Sequence, residues 1–354
     1  MKRVISGIQP SGVLHIGNYL GCIKLWRNLI LNSQLSNNKT DLLFFIADLH
    51  SLTTNLNYDE DEKRKQINNI INTNKKDDLS KVSLHVLAYL IASGVNHEKC
   101  TIFLQSSIPL HTELQWILSC ITPFSKLKTM IQFKEKKIDS VGIFSYPLLM
   151  TSDILLYKAN LVPVGNDQKQ HLELTRIIAE RFNKMSGKEI FPLPDVLFSD
   201  SPKIMSLNNG NKKMSKSESS NNGIIYLNDS EEQIKLKIQR AKTDSIGTIL
   251  YDIENRPEVS NLITIYSSLK NKSILEVEEE FKNYNTFEFK MKLSDAIIDE
   301  FSIIKDKAEK LLKKDKEFLL EILNKGAESA NKIAEKTMNE IKKELKILNL
   351  NTNI

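Results

Sequence analysis

Cysteine is scarce in this chain: Cys22, Cys100 and Cys120 are the only three, and no two of them form a CxxC pair. Their spacing supports neither a zinc site nor an iron–sulfur cluster, and free thiols in a reducing compartment are expected, with no metal-ligating cluster. Long apolar runs are also missing. None approaches the ~18–20 residues of a membrane span. The first strand-like segment begins at Val4, which leaves no room for a signal or transit peptide, so a cytoplasmic protein with no membrane partner is expected. Charge of one sign is lacking too: 49 basic against 44 acidic residues leave a formal +5. That balance permits a basic groove for a polyanion without requiring one. No internal repeat stands out. The two tryptophans, Trp26 and Trp116, lie on apolar faces and read as core or interface aromatics.

The 354 residues, 41% hydrophobic, suffice for one large domain and a smaller one. Val4–Ile5 opens a short apolar run broken at Gly7 and at Pro10-Ser11-Gly12, after which Ile16, Leu20, Ile23, Leu25 and Leu29 keep a helical stripe. Strand, glycine-rich turn and helix open a parallel α/β unit. Leu42–Ala47 (LLFFIA) is a continuous apolar run of the kind buried on both faces, and Thr101–Leu104 and Leu161–Val164 repeat it. Helix-like stretches at 61–72, 84–93 and 154–157 separate these strands. The alternation predicts a Rossmann-type doubly wound parallel sheet, with ligands at the carboxyl ends of its strands.

Beyond Pro202 the character changes. Residues 208–222 are rich in Asn, Gly, Ser and Lys, with Met214 almost the only apolar residue, and read as a mobile loop. Ser230 with Gln233 suggests a capping box. Helical patterns then run through 233–241, 259–269, 293–312 and 317–345, where Gly326, Ala327, Ala330 and Ala334 form a small-residue face suited to close packing. The expected division is a Rossmann-type domain over 1–207, a loop over 208–224, an all-helical domain over 225–313 and a C-terminal helix over 314–354.

Two motifs carry chemistry. The first is Gln9-Pro-Ser-Gly-Val-Leu-His-Ile-Gly-Asn18. A helix starting near Asn18 points free N–H groups at whatever lies before it, Gly17 lets a flat base or ribose approach, and His15 adds a donor for phosphate oxygens. A plain strand-to-helix turn is the simpler alternative. The second is Lys212-Lys-Met-Ser-Lys-Ser217, whose lysines can close over a triphosphate and neutralise the leaving pyrophosphate. A solvated basic loop is its simpler alternative.

In this order, about 200 residues apart, the two resemble the HIGH and KMSKS signatures of class I aminoacyl-tRNA synthetases, standing here as His15-Ile-Gly-Asn18 and Lys213–Ser217. Residues 6–12, 129–136 (TMIQFKEK), 146–157 (YPLLMTSDILLY), 162–175, 241–245 and 326–330 are similar to blocks of the tryptophan branch. The resemblance implies tryptophan activation by ATP to tryptophanyl-adenylate and transfer to tRNA(Trp), with Mg²⁺ arriving on the ATP, and a homodimer with no DNA partner. His15, Asn18, Lys213 and Lys216 would be catalytic. Gln9, Pro10, Ser11, Gly17, Asn18, Gly165, Asn166, Asp167, Ile204, Met214, Ser215 and Ser217 would join Lys213 and Lys216 around ATP. Tyr146 and Gln168 would take the substrate ammonium, Met150, Val162 and Val164 the indole ring, and Asp153 the indole N–H, a donor-only group that demands an acceptor. Asp167 could instead cap the following helix, and Asp153, read at an apolar helix start, could cap it with Ser152. Gln132, Lys134 and Lys136 would lie near the site, with Lys136 toward phosphate. His50 follows a strand end and suits either pocket or core, whereas His85, His97 and His111 have no partners at ligand spacing and read as unremarkable. A tyrosine enzyme, a nucleotidylyltransferase and an inactive RNA-binding relative are the competing readings.

Overall fold

The computed structural model describes residues 2–35, 40–55, 78–130, 140–165, 169–198, 202–216 and 221–348. Five parallel strands make the main sheet: β1 (Lys2–Ile8), β2 (Thr40–Ile46), β3 (Thr101–Leu104), β4 (Leu161–Val164) and β5 (Asp195–Phe198), in the order β3-β2-β1-β4-β5. The chain steps outward from β1 through β2 to β3, then returns to the other side of β1. The carboxyl ends of β1 and β4 therefore flank the switch point where doubly wound sheets bind ligands. Burial on both faces explains the continuous apolar run of β2: Leu42, Phe44 and Ile46 enter one core, Leu43 and Phe45 the other.

One face carries α1 (Ile16–Asn18), a wide turn over Tyr19–Ile23, α2 (Lys24–Leu35) and, beyond α3 (Asp48–Asn55), α4 (Leu79–Ala92). The other carries α5 (Leu110–Ile121), α6 (Phe124–Lys128), α7 (Val141–Leu155) and α8 (Lys169–Ser186). The second half is helical: α9 (Glu231–Arg240), α10 (Pro257–Lys270), α11 (Ile274–Glu280), α12 (Thr286–Lys314) and α13 (Lys316–Glu344). The capping box at the start of α9 forms, Ser230 Oγ accepting from Gln233 N at 3.2 Å while Gln233 Oε1 accepts from Ser230 N at 2.8 Å. Several short elements escape the sequence reading, among them α3, α5, α6, β5 and α11. β5 is a four-residue edge strand, and α11 is a seven-residue helix whose one signal is the Ser273–Glu276 capping box. The helix read over 61–72 lies outside the described residues.

The basic stretch is not a free loop at its start. β6 (Met205–Ser206) and β7 (Asn209–Lys213) form an antiparallel hairpin against α10, where Asn261 donates to Met205 O at 2.9 Å and accepts from Met205 N at 2.8 Å. Backbone pairing, not side-chain burial, holds β7, so its polar composition hid it.

The final helix lies against β3, the edge strand, and α5. Gly326 is the reason it can: a Cβ there would stand 1.7 Å from the carbonyl oxygen of Ile102. Helix propensity alone favours Gly326→Ala by about 1 kcal/mol. The clash with backbone outweighs it, and a net loss of about 1–3 kcal/mol is expected, read as a lower midpoint of thermal unfolding. An unchanged or raised midpoint would contradict this seating. Ion pairs from Lys342 to Glu113 (2.7 Å), Lys188 to Glu344 (2.6 Å) and Lys158 to Glu340 fasten the outer half of the helix.

Candidate active site

The turn after β1 is built by its own side chains. His15 is the N-cap of α1: its Nδ1 accepts the Gly17 N–H at 3.1 Å, and its own N–H reaches Asn18 Oδ1 at 3.1 Å. The Asn18 oxygen therefore closes a capping box. Gly17 has a local reason for lacking a side chain, since a Cβ would lie 2.9 Å from the His15 ring. Because Nδ1 is an acceptor, the proton of the neutral ring sits on Nε2. Burial, and then the charges of Lys216 and Lys213, push the His15 pKa down to about 3. His15 is thus a neutral N–H donor across the physiological range.

The second motif meets this turn directly. Lys216 Nζ donates to Ser11 Oγ at 3.3 Å, and burial pulls its pKa down to about 7. No ion pair to Lys216 forms among the described residues. The chain just after the motif completes the contact: Ile16 N donates to Ile225 O and Leu227 N to Leu14 O, both at 2.9 Å, with a β-bridge between His15 and Tyr226. Tyr226 is tied in turn to α9, because Asp229 Oδ2 accepts its N–H at 2.8 Å and Lys237 Nζ at 2.6 Å. Ile204 closes the floor beside Gly17, and Met214 N donates to Ile204 O at 3.0 Å. The Met214 side chain is buried in the core.

Gln9, Pro10 and Ser11 follow β1, with Gln9 Nε2 donating to His50 O at 3.3 Å and Ser51 Oγ to Pro10 O at 3.3 Å. The same ends thus join the His15 turn to a second cluster centred on Asp153. Asp153 is 2% exposed. It stands in the last turn of α7, not at a helix start: the helix begins at Val141, capped by Ser140, and runs on through Pro147. An N-cap role for Asp153 is therefore corrected. Gln105 Nε2 and His111 Nδ1 each donate to Asp153 Oδ1 at 2.7 Å, and His50 Nε2 donates to Oδ2 at 2.8 Å. Burial alone would raise the acid's pKa, but these hydrogen bonds and the histidine charges outweigh it and hold the pKa at about 2. Asp153 is an anion.

Around it, Val162 is buried, Met150 and Tyr146 are half-buried, and the Tyr146 hydroxyl meets His171 Nε2 at 2.9 Å. Burial pushes the Tyr146 hydroxyl up to about 12, so it remains protonated. Gly165 is exposed at the end of β4. Ser215 is half-buried and Lys213 exposed beside the first turn. Asn166, Asp167, Gln168, Ser217, Gln132, Lys134, Lys136 and the Val164 side chain lie outside the described residues.

His111 is the main correction. Read as unremarkable, it is wholly buried on Asp153, with its Nε2 meeting the Tyr157 hydroxyl at 2.8 Å. A signal was present: His111, Leu114 and Leu118 make the buried stripe of α5, and a polar ring in such a stripe requires a partner. Gln105 and Tyr157 had no comparable signal.

The sequence matches the class I tRNA synthetases (W and Y) over residues 1–302. It is 45% identical over 349 residues to a tryptophan–tRNA ligase of Rickettsia typhi, covering 97% of this chain and 98% of that protein. The crystal structure of tryptophanyl-tRNA synthetase from Mycoplasma pneumoniae matches with a TM-score of 0.84 and 31% identity, covering 100% of both chains. A tryptophanyl-tRNA synthetase from Campylobacter jejuni, complexed with ADP and tryptophan, matches with a TM-score of 0.75 and 31% identity over 98% of this chain and 100% of that one. The chain belongs to the class I tRNA synthetases, among the tryptophan–tRNA ligases.

Proposed function

We infer that the cleft between the His15 turn and the 205–216 segment activates L-tryptophan with ATP, and that the adenylate then passes its acyl group to tRNA(Trp). The carrying observation is the 3.3 Å contact of Lys216 Nζ with Ser11 Oγ, which joins motifs two hundred residues apart around one space. The substrate carboxylate attacks the α-phosphate in line, and no covalent enzyme intermediate is needed. His15 offers its Nε2–H, and Lys213 and Lys216 their ammonium charge, to the oxygens on which charge develops. Gln9, Pro10, Ser11, Gly17, Gly165, Asn166, Asp167, Ile204 and Ser217 would border the nucleotide, while Asn18 acts by holding the turn. Asp153 would accept the indole N–H, with Met150, Val162 and Val164 around the ring and Tyr146 and Gln168 toward the ammonium.

The described residues assemble no group of three His, Cys, Asp or Glu side chains able to hold a metal. Mg²⁺ would enter as a ligand of the ATP phosphates, supplying charge neutralisation there.

The helical half would bind tRNA. A homodimer is supported by apolar groups left in solvent on neighbouring elements, Trp116 (70% exposed), Phe124 (59%) and Val141 (80%), which a second copy would cover. No helix among the described residues is long and apolar enough to cross a membrane; a cytoplasmic setting is part of this proposal.

Pyrophosphate exchange with each amino acid in turn tests the reading. Tryptophan should support exchange and tyrosine should not. Exchange with tyrosine alone would overturn it.

A further inference from the structure

The donors and acceptors around Asp153 can be counted. A carboxylate has about four lone-pair positions. Gln105, His111 and His50 fill three. One remains. Gln105 Oε1, on the same amide, is buried with no hydrogen-bond partner among the described residues. The Tyr157 hydroxyl is occupied by His111 Nε2, and burial raises its pKa well above the ordinary value, so it stays a hydroxyl that braces the imidazole ring. That end of the cluster is thus rich in acceptors: one N–H of Gln105, His111 Nδ1–H and His50 Nε2–H are given to Asp153, and the second Gln105 N–H is the amide donor left over.

We propose that His111, braced by Tyr157, and Gln105 are positioning residues that hold Asp153 as an anion with one acceptor position open and so make the pocket select tryptophan over tyrosine. This rests on the reading above that Asp153 receives the indole N–H. An indole N–H only donates, and one free acceptor position satisfies it. A phenol also carries two lone pairs, which here would face an anion and an amide oxygen, with at most the second Gln105 N–H to meet one of them. Burying such an oxygen unpaired is unfavourable, and that cost falls on tyrosine alone.

A packing role and a donor role make opposite predictions at position 111. His111→Phe keeps the ring volume and removes the donor. His111→Asn loses volume but places an amide donor where Nδ1 stood. Gln105→Met removes the second donor at similar volume. Pyrophosphate exchange is measured for each variant with tryptophan and tyrosine from pH 5 to 8, alongside thermal unfolding. For His111→Phe and Gln105→Met, the KM for tryptophan should rise about tenfold or more with kcat nearly unchanged, and the tryptophan-to-tyrosine ratio of kcat/KM should fall by a similar factor. Their KM should climb further on the acid side, because Asp153 with fewer donors takes up a proton more easily. The other titrating groups facing it are His50 on α3 and Tyr157 after α7, with Tyr146 and His171 one contact away. His111→Asn should stay closer to the wild type in KM and in selectivity, even where its unfolding midpoint is lower. The reverse order, with His111→Phe normal and His111→Asn impaired, would overturn the proposal, as would wild-type selectivity and pH profile in both donor-deleted variants. A wild-type enzyme that fails to exchange with tryptophan would instead overturn the functional reading itself, and is recognised before any variant is made.

Discussion

Lys216→Ala slows tryptophanyl-adenylate formation by on the order of 100-fold or more while leaving tryptophan affinity nearly unchanged. The reason is where its ammonium sits. It lies against Ser11 at the mouth of the His15 turn, half-buried and without an acidic partner among the described residues. The interaction of a cation so placed strengthens as the phosphate oxygens gain charge. The effect belongs in the rate of the chemical step. Tryptophan affinity is spared because Lys216 takes no part in the Asp153 cluster. The pH dependence follows from the same burial. A lysine with its pKa lowered to about 7 is charged below that pH and neutral above it. Nucleotide binding on the alkaline side must therefore take up a proton, and the KM for ATP should rise with pH through this region. Lys216→Ala should lose that rise. An adenylation rate equal to wild type, measured by rapid quench, would remove this segment from the mechanism.

Asp153→Ala should collapse discrimination against phenylalanine. A site built to bond a substrate N–H rejects an analogue lacking it by roughly 10⁴–10⁵-fold, whereas a difference of shape in an apolar pocket yields about 10–200-fold. Removing the carboxylate takes the enzyme from the first regime to the second. It also strands two buried donors, on Gln105 and His111, at about 1–3 kcal/mol for each left unmet, besides the half-buried His50. Lower stability is therefore expected as well. The decisive quantity is the ratio of kcat/KM for tryptophan and phenylalanine in the same preparation, from which the amount of folded enzyme cancels. A preserved ratio would confine Asp153 to a structural role.

Much of the fold was legible in the chain. Continuous apolar runs mark β1 to β4 because both faces of this sheet are covered, and the long amphipathic patterns mark α10, α12 and α13 because one face of each is buried. Short elements were less legible. The polar strand β7 and the edge strand β5 owe their form to backbone pairing, which leaves little trace in side-chain pattern. α7 was read in part, and its extent decides that Asp153 lies at the end of a helix.

Residue types and spacing alone marked a helix start after Gly12, a lysine-bearing segment near 213–216 suited to an anion, and at Gly326 a helix face suited to close approach. What those groups are chemically was decided only by the folded chain. His15 is neutral because burial and two lysines from the far end of the sequence exclude a proton. Asp153 is charged because donors from three other elements surround it. Protonation is set by the local dielectric and by neighbours in space, and residues 42 to 201 positions apart become neighbours only after folding.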